Sequence, residues 1–357
     1  MKILHIGAGK IGRGLILPHL GERHEVTVAD RNWNLVQSIK ANHGYNVIEL
    51  DCGGPYITKI PDPQIVSFTE LEALHDVDAI TTAVLVSNLP HIAPMVRTIA
   101  LRNKRPFYII PMENSIEAPA ILKRELAAIM PDLEGIFVLG SVIDRIVPAL
   151  RNELDVECER YSLIKIEDAG GFGQAARDER LVTKNVRREF DKKFLLVNGL
   201  HACAAYLGYR RGHQYICDVM GDPVVRGKLE LIGRCYIQYL MQVYGYGKDE
   251  LTGCVGTSLM RFSNPYIKDP LGRVGGNLLV KLSPTDRIMR PLLFNKSNGL
   301  EHAPLEEVVE AAGHFRIAND YDLYLPLFSP PETTSGCKRS GQRRLDEDGF
   351  LSAGGLS

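Results

Sequence analysis

A glycine-rich segment directly after the first short apolar run constrains the fold of this chain more than any other feature. Residues 2–6 form the apolar run, and Gly7-Ala8-Gly9-Lys10-Ile11-Gly12 follows as a G-x-G-x-x-G pattern. An apolar-periodic stretch comes next and predicts a helix over 12–20. A strand, a tight glycine turn and a helix in this order are typical of the first βα unit of a dinucleotide-binding sheet.

The residues of this pattern have separate physical roles. Gly7 permits the tight turn, Gly9 lets the backbone approach a pyrophosphate, and Gly12 allows the helix to pack closely on the strand. Ala8 and Ile11 complete the predicted cofactor loop. The amino terminus of the helix would offer partial positive charge to the phosphates.

Asp30 ends the second apolar run, 25–29, within the interval expected for an acidic residue that contacts the ribose. A carboxylate there accepts hydrogen bonds from the ribose hydroxyls and repels a 2′-phosphate, so Asp30 favours NAD over NADP. Arg31 follows directly and weakens this preference, because an arginine accommodates the 2′-phosphate. The alternative is a glycine-rich turn that binds no nucleotide.

Composition excludes several other classes of protein. With 357 residues, 45% of them hydrophobic and 24% charged, the chain is long enough for two domains with cores of their own. The net charge of −1 gives no general attraction to nucleic acid or to an anionic membrane. We see no secretory signal, no apolar run of transmembrane length and no C-x-x-C pair. We therefore expect reduced thiols, a cytoplasmic location, no metal site and a small-molecule substrate.

The periodicity predicts an α/β fold: a Rossmann-type doubly wound parallel sheet followed by a mainly α-helical domain. We expect an NAD-binding domain over 1–186, a helical substrate domain over 187–328 and a disordered tail over 329–357. Residues 156–167 are expected to add an antiparallel extension to the sheet. The predicted strands are 2–6, 25–29, 46–50, 65–67, 78–84, 106–111 and 136–141. The predicted helices are 12–20, 32–42, 70–74, 89–101, 117–129, 187–208, 222–244, 248–262 and 304–313.

The predicted helix 187–208 carries an ammonium, a carboxamide and an imidazole. At about 100° per residue, Lys193, His201 and Asn198 lie at roughly 0°, 80° and 140° around the helix axis, and so share one face. Gly199 lies inside the same helix, where it costs about 1 kcal/mol relative to alanine, which suggests the close approach of another backbone or a ligand. The alternative is that Lys193 and Asn198 are solvated and that His201 is a half-buried structural residue.

Two further polar residues follow predicted strands of the parallel sheet. Asn114 comes after strand 106–111, and Asp144 comes after strand 136–141. Residues just past the carboxyl ends of parallel strands face the ligand crevice, so we expect both side chains there. The alternatives are that Asn114 is a turn residue and that Asp144 pairs with Arg145.

These residues are the parts that a hydride-transfer site requires. A base must take the hydroxyl proton of a carbinol, and fixed donors must stabilise the developing alkoxide. Lys193 is the candidate base, provided that burial lowers its pKa from about 10.4 towards roughly 7–8. Asn198 and Asn114 would hold the reacting oxygen, and His201 would bind a neighbouring hydroxyl.

The chain resembles the polyol-specific long-chain dehydrogenases. Their K-x-x-x-x-N-x-x-H pattern stands here as Lys193, Asn198 and His201. The resemblance covers residues 1 to about 320. Further matching blocks are Gly7 to Gly14, Ala29-Asp30, Thr81 to Val84, Glu113-Asn114, Asp144 to Pro148, Ala205 to Gly208, Gly212 to Gln214, Arg261 to Asp269, Arg273 to Gly275, Lys281 to Ser283 and Asp286-Arg287.

The resemblance implies a reaction and assigns roles to residues. Lys193 would be the general acid/base, Asn114 and Asn198 would polarise the carbonyl, and Ala83 and Val84 would join the NAD site. The reaction would be a reversible, metal-independent oxidation of a sugar alcohol to a ketose. For the most similar members it is mannitol 1-phosphate plus NAD giving fructose 6-phosphate and NADH. A monomer or small homo-oligomer is implied.

Three segments depart from the family pattern. Gly276 and Val280 stand where the enzymes that act on the phosphorylated substrate carry basic residues. Residues 158–165 lack a Glu-Pro…Trp run, and the chain after Tyr324 differs from the expected further helices. Candidate substrate contacts that remain are Asp144, Arg261, Lys268, Arg273, Lys281 and Arg287, and Arg290 is a further possible phosphate partner. The alternative is that these cations are solvated or pair with Asp269 and Asp286.

Other functions stay open at this point. A dehydrogenase of an unphosphorylated polyol or a hexonate would keep Lys193, Asn198 and Asn114 without a basic cluster. The β-hydroxyacid dehydrogenases also combine a Rossmann domain with a helical lysine and an asparagine, but their spacing is one residue shorter. From another class, the chain could be a catalytically inactive nucleotide-binding sensor.

Overall fold

A computed structural model of the chain describes residues 1–130, 132–148 and 152–316. The predicted tail, 329–357, lies outside the described residues. The strands are β1 (Lys2–Ile6), β2 (Glu25–Asp30), β3 (Gly44–Asp51), β4 (Gly54–Pro61), β5 (Gln64–Ser67), β6 (Ala79–Thr82), β7 (Phe107–Pro111), β8 (Ile136–Val138), β9 (Ser141–Asp144), β10 (Val156–Glu159), β11 (Leu163–Glu167) and β12 (Val182–Thr183).

Each predicted helical segment is helical in the structure, and five further α-helices, at 172–176, 216–220, 271–275, 278–281 and 289–297, were not predicted. The α-helices are α1 (Leu17–Gly21), α2 (Trp33–Ala41), α3 (Leu89–Arg102), α4 (Ala118–Ile129), α5 (Phe172–Ala176), α6 (Val186–Lys193), α7 (Leu200–Arg210), α8 (Ile216–Met220), α9 (Pro223–Tyr244), α10 (Lys248–Phe262), α11 (Leu271–Gly275), α12 (Leu278–Lys281), α13 (Met289–Ser297) and α14 (Ala303–Gly313). The predicted helix 70–74 is a 3₁₀ helix, Phe68–Ala73. From α6 onward, helices dominate the described chain, as predicted.

Six strands form the main sheet in the order β5-β2-β1-β6-β7-β8, and every neighbouring pair is parallel. The order runs outward from β1 in both directions, which is typical of a doubly wound sheet. The predicted α/β class with a parallel Rossmann-like sheet is therefore confirmed. The carboxyl ends of β1 and β6, neighbours in the sheet, form the edge where a ligand is expected.

Apolar side chains cover both faces of this sheet. On one face Leu4 and Ile6 of β1 belong to a buried cluster with residues of α3 and α4. On the other face Ile3 packs with Leu15 and with residues of α2. Neighbouring residues of a strand point to opposite faces, so alternation along β1 supplies both cores. Burial on both faces explains why the strands read as nearly continuous apolar runs.

Two smaller sheets correct the sequence prediction. The strand predicted at 46–50 is β3, which lies outside the main sheet and pairs antiparallel with β4 and parallel with β10. Residues 156–167 are not one antiparallel extension, because only β11 runs antiparallel to its partner, β9. The predicted strand 136–141 is divided between β8 and β9. These pairings join segments far apart in the chain, which local periodicity does not reveal.

Two predicted α-helices contain π-helical turns. Gly12–Ile16 after the glycine turn and Phe194–Gly199 between α6 and α7 both carry i→i+5 hydrogen bonding. A π-turn adds a residue to the helical repeat and is frequent at functional sites. Both turns lie in the segments that the sequence marks as functional.

The glycine turn gives a stability test with a matched control. A Cβ on Gly12 would lie 2.0 Å from the Gly7 carbonyl oxygen, whereas a Cβ on Gly9 would meet nothing within 4 Å. We expect Gly12→Ala to lower the free energy of unfolding by about 1–3 kcal/mol, because backbone must shift to admit the methyl group. Gly9→Ala should stay within about 0.5 kcal/mol of wild type. Urea unfolding measures both, and equal stability of the two variants would contradict the packing role of Gly12.

Candidate active site

A cavity of about 490 Å³ lies at the carboxyl edge of the main sheet. Residues of the glycine turn, of the loops after β6 and β7, of β9 and of the helical segment around Lys193 all contribute to it. The lining residues include Lys10, Ile11, Ala83, Leu85, Glu113, Asn114, Asp144, Lys193, Asn198, His201 and Arg273. The structure therefore brings the predicted catalytic residues together with part of the predicted cofactor loop.

The glycine turn has the geometry that a dinucleotide requires. Gly7 has φ of +115°, and a Cβ there would lie 2.5 Å from the carbonyl oxygen of Ala83. Gly9 faces open space, which leaves room for a pyrophosphate against the backbone. Asp30 accepts hydrogen bonds from the backbone N–H of Ala8 at 2.6 Å and of Asn32 at 2.7 Å. The Asp30 carboxylate is thus fixed beside the turn, so these residues fit NAD.

Lys193 and Asn114 meet across the cavity. Lys193 Nζ donates to Asn114 Oδ1 at 2.8 Å, joining the helical segment to the loop after β7. Burial lowers the pKa of Lys193 to about 8, and this effect is opposed by the nearby Asp144 carboxylate. Both protonation states are therefore accessible near neutral pH, as a general acid/base requires.

Two polar atoms beside this pair are buried without a partner. Within the described part of the chain, neither Asn198 Oδ1 nor His201 Nε2 has a hydrogen-bond partner. His201 stacks on Phe262 with ring centroids 4.5 Å apart, and its Nε2 lies 3.5 Å from Asp269 Oδ2. Burial lowers the pKa of His201 to about 4, so the ring is neutral at pH 7. Because buried polar groups are normally paired, these two atoms suit a polar ligand.

The π-turn Phe194–Gly199 explains how Lys193 and Asn198 come together. On a regular α-helix residues five apart differ by about 140°, whereas an i→i+5 turn places them nearly one above the other. The angle of about 140° predicted between Lys193 and Asn198 is therefore wrong, because the segment between them is not a regular α-helix. Both residues nevertheless line the cavity. A Cβ on Gly199 would lie 3.0 Å from the ring of Tyr236. The close neighbour at Gly199 is thus a tyrosine side chain and not the backbone or ligand that the sequence suggested.

Comparison with known families agrees with this geometry. The mannitol dehydrogenase Rossmann domain model matches residues 1–176, and the mannitol dehydrogenase C-terminal domain model matches residues 186–322. The chain belongs to the mannitol dehydrogenase family. The predictions of an oxidoreductase with a Rossmann domain and of NAD as its cofactor are confirmed at the level of this family.

Solved structures show the same fold. Pseudomonas fluorescens mannitol 2-dehydrogenase, in a ternary complex with NAD and D-mannitol, is 17% identical, with a TM-score of 0.68 over 88% of this chain and 78% of that one. A D-sorbitol dehydrogenase is 14% identical, with a TM-score of 0.74 over 87% and 79%. D-mandelate dehydrogenase, with NADH and anilino(oxo)acetate, is 16% identical, with a TM-score of 0.53 over 87% and 97%.

In this member of the mannitol dehydrogenase family, a buried ion cluster joins the helical part, which begins at α6, to the sheet-containing part that precedes it. Arg261 of α10 donates to both carboxylate oxygens of Asp144, at 2.7 and 3.1 Å, and to those of Glu159, at 2.6 and 2.8 Å. Arg145 instead pairs with Glu49, so the Asp144–Arg145 pair considered from the sequence is wrong. Asp144 borders the cavity, and its carboxylate is held by Arg261.

The predicted substrate-contacting cations divide into two groups. Arg273 lines the cavity and donates through Nε to Asp269 at 2.6 Å. The other predicted cations are not among the residues that line this cavity: Arg261, Lys268, Lys281, Arg287 and Arg290, the last of which donates to Asp191 at 3.1 Å. Lys281 donates to the carbonyls of Val274 and Gly276, Arg287 donates to Asp286 at 2.7 Å, and exposed Lys268 lies 3.7 Å from Asp218.

Sequence reasoning did not assign roles to Lys10, Glu113 and Leu85, all of which line the cavity. Buried Glu113 accepts from the Thr82 hydroxyl at 2.9 Å and from the Val84 N–H at 3.0 Å, and burial raises its pKa. Its position directly before Asn114 was the available signal. Nothing in the sequence pointed to Leu85, because a leucine between a strand and a helix is an ordinary loop residue.

The described residues also bear on metals and membranes. No group of three or more His, Cys, Asp or Glu side chains among them could hold a metal ion. Over the same ranges, no helix combines the length and the apolar character that spanning a bilayer takes.

The ion cluster gives a second stability prediction. Arg261→Ala leaves two buried carboxylates without their cation and should lower the free energy of unfolding by about 3–5 kcal/mol. Arg210→Ala is the matched control, because Arg210 and its partner Glu310 are both exposed and such pairs contribute about 0–1 kcal/mol. Denaturant unfolding compares the two variants. A loss for Arg261→Ala no larger than that of the control would contradict the role of the cluster.

Proposed function

We propose that this chain catalyses the reversible NAD-dependent oxidation of a sugar alcohol to a ketose. Lys193 is the general acid/base, and Asn114 and Asn198 polarise the reacting carbonyl. The observation that carries the proposal is the 2.8 Å contact between Lys193 and Asn114 in a cavity that Lys10 and Ile11 of the glycine turn also line. This arrangement gives a proton acceptor and oxygen-binding amides in reach of the cofactor loop.

The direction of the Lys193–Asn114 hydrogen bond supports these roles. Because Asn114 Oδ1 accepts from the ammonium, its Nδ2 is left to donate to a substrate oxygen. Asn198 offers a second amide from the π-turn on the same cavity wall. Two such donors stabilise an alkoxide more than the parent hydroxyl, which favours the transition state.

NAD supplies the hydride acceptor when it is bound. In the oxidation, neutral Lys193 Nζ takes the hydroxyl proton as the carbinol carbon loses its hydride, and the reverse reaction returns both. Neutral His201 is suited to bind a neighbouring hydroxyl through Nε2. Asp144, held by Arg261, keeps a negative charge near Lys193 and thereby stabilises the ammonium that forms.

For the substrate we propose mannitol 1-phosphate, oxidised to fructose 6-phosphate, which is the activity of a mannitol-1-phosphate 5-dehydrogenase. Arg273 supports a phosphorylated substrate, because it lines the cavity and its side chain is 47% exposed. The second candidate is a dehydrogenase of an unphosphorylated polyol. It is favoured by the positions of Lys268, Lys281 and Arg287 away from the cavity lining.

The pKa of Lys193 predicts opposite pH dependences for the two directions. Polyol oxidation requires the neutral amine, so kcat/KM should fall about tenfold per pH unit below about pH 8. Ketose reduction requires the ammonium and should fall above about pH 8. Lys193→Met should lose about 10²- to 10⁴-fold in turnover and also lose this inflection, while it still binds NADH.

Lys192→Met is the matched control for this variant. Lys192 is the neighbouring lysine and pairs with Glu189 and Glu250. It should retain turnover and the pH profile. Wild-type turnover by Lys193→Met, with an unchanged pH profile, would contradict the assignment of Lys193.

Substrate identity is tested by NADH oxidation with fructose 6-phosphate and with fructose. We expect the phosphate ester to react much faster, and Arg273→Ala to raise its KM about tenfold while leaving fructose kinetics nearly unchanged. Turnover of fructose alone would move the assignment to the unphosphorylated polyol. NADH binding without turnover of either ketose or of a hexonate would favour the sensor.

A further inference from the structure

Leu85 combines two features that are unusual for a leucine. It has φ of +75° and ψ of 143°, which is a backbone conformation that glycine adopts far more readily. Its side chain is 72% exposed, although it lines the cavity that also contains Lys193. Because most of its side chain is exposed, Leu85 gains little packing within the protein to offset the strain.

Surrounding hydrogen bonds hold the backbone on both sides of Leu85. The Val84 N–H donates to Glu113 Oε1 at 3.0 Å, and Asn88 Nδ2 donates to the Val84 carbonyl at 2.5 Å. The Asn88 N–H donates to the Leu85 carbonyl at 3.0 Å. Strained residues persist where neighbouring structure over-determines them, and they cluster at ligand sites. These hydrogen bonds therefore hold the loop after β6 in a conformation that leaves the Leu85 side chain exposed at the cavity.

The location of Leu85 indicates what it meets. It follows the carboxyl end of β6, the neighbour of β1, from which the glycine turn leads. Ile11 of that turn and Leu85 line the same cavity. A dinucleotide bound along this edge would lie next to the loop after β6, and its rings would offer apolar surface to a leucine there.

We propose that Leu85 is an apolar contact for the bound dinucleotide, held ready by the Glu113 and Asn88 hydrogen bonds. Binding covers a side chain that is exposed in the free protein, so the apolar area removed from water adds to affinity. Because the loop is already fixed, little conformational entropy is lost on binding. The inference needs only NAD binding and does not depend on which polyol is the substrate.

The test compares NADH binding and thermal stability in two variants. Leu85→Ala removes most of the side chain and keeps the strain, so NADH affinity should fall about five- to tenfold with little change in Tm. Leu85→Gly removes side chain and strain together. It should lose at least as much NADH affinity, while the Tm of the ligand-free protein rises by roughly 2–4 °C.

Leu101→Ala is the matched control, because Leu101 on α3 is 51% exposed and is not among the residues that line the cavity. It should bind NADH as the wild type does when titrated in a calorimeter. Unchanged NADH affinity in Leu85→Ala and Leu85→Gly would overturn the inference, even with a higher Tm for the glycine variant. If the wild type itself bound no NADH, the cofactor assignment would fail first, and that outcome is distinguishable.

Discussion

The Arg261 guanidinium, buried between the Asp144 and Glu159 carboxylates, is the interaction on which the rest of the structure depends. It links α10 of the helical part to β9 and β10 of the sheet part. A buried charge is tolerated only when it is paired and hydrogen-bonded, so these three groups fix one another's positions. Asp144 also borders the cavity, and the cluster therefore sets where the helical part stands against the carboxyl edge of the main sheet.

The same cluster influences the acidity of Lys193. Burial has the largest effect and lowers its pKa, the Asp144 and Glu159 carboxylates raise it, and Arg261 and Arg287 lower it. One cation shared by two carboxylates opposes the burial effect without cancelling it. A lone carboxylate in place of the cluster would favour the ammonium more strongly. Because Arg261 lies between two acids, the pKa of Lys193 stays near neutral pH, where the side chain can both accept and donate a proton.

Sequence patterns predicted the elements that depend on local information. The glycine turn, the parallel strands and the long helices follow from spacing and apolar periodicity. Lys193, Asn198 and His201, which the sequence placed on one helix face, all line one cavity in the structure. Pairings between distant segments, such as β3 with β10, were missed because nothing local encodes the partner. The π-turn at Phe194–Gly199 was missed because its only local trace is Gly199. Arg287 pairs with its neighbour Asp286, which the sequence analysis named as an alternative partner, whereas the contacts of Lys281 with the carbonyls of Val274 and Gly276 were not predicted.

Arg273 lines the same cavity as the proposed catalytic residues and contacts Asp269, which lies beside His201. A guanidinium carries five N–H donors, and Asp269 engages Nε and one nitrogen of the fork, so donors remain for a second anion. A phosphate bound there would leave Asp269 in place beside His201, and the neutral ring would keep its orientation. Because Asp269 offsets the charge of Arg273, discrimination between a phosphorylated and a free ketose would depend on directed hydrogen bonds more than on net charge.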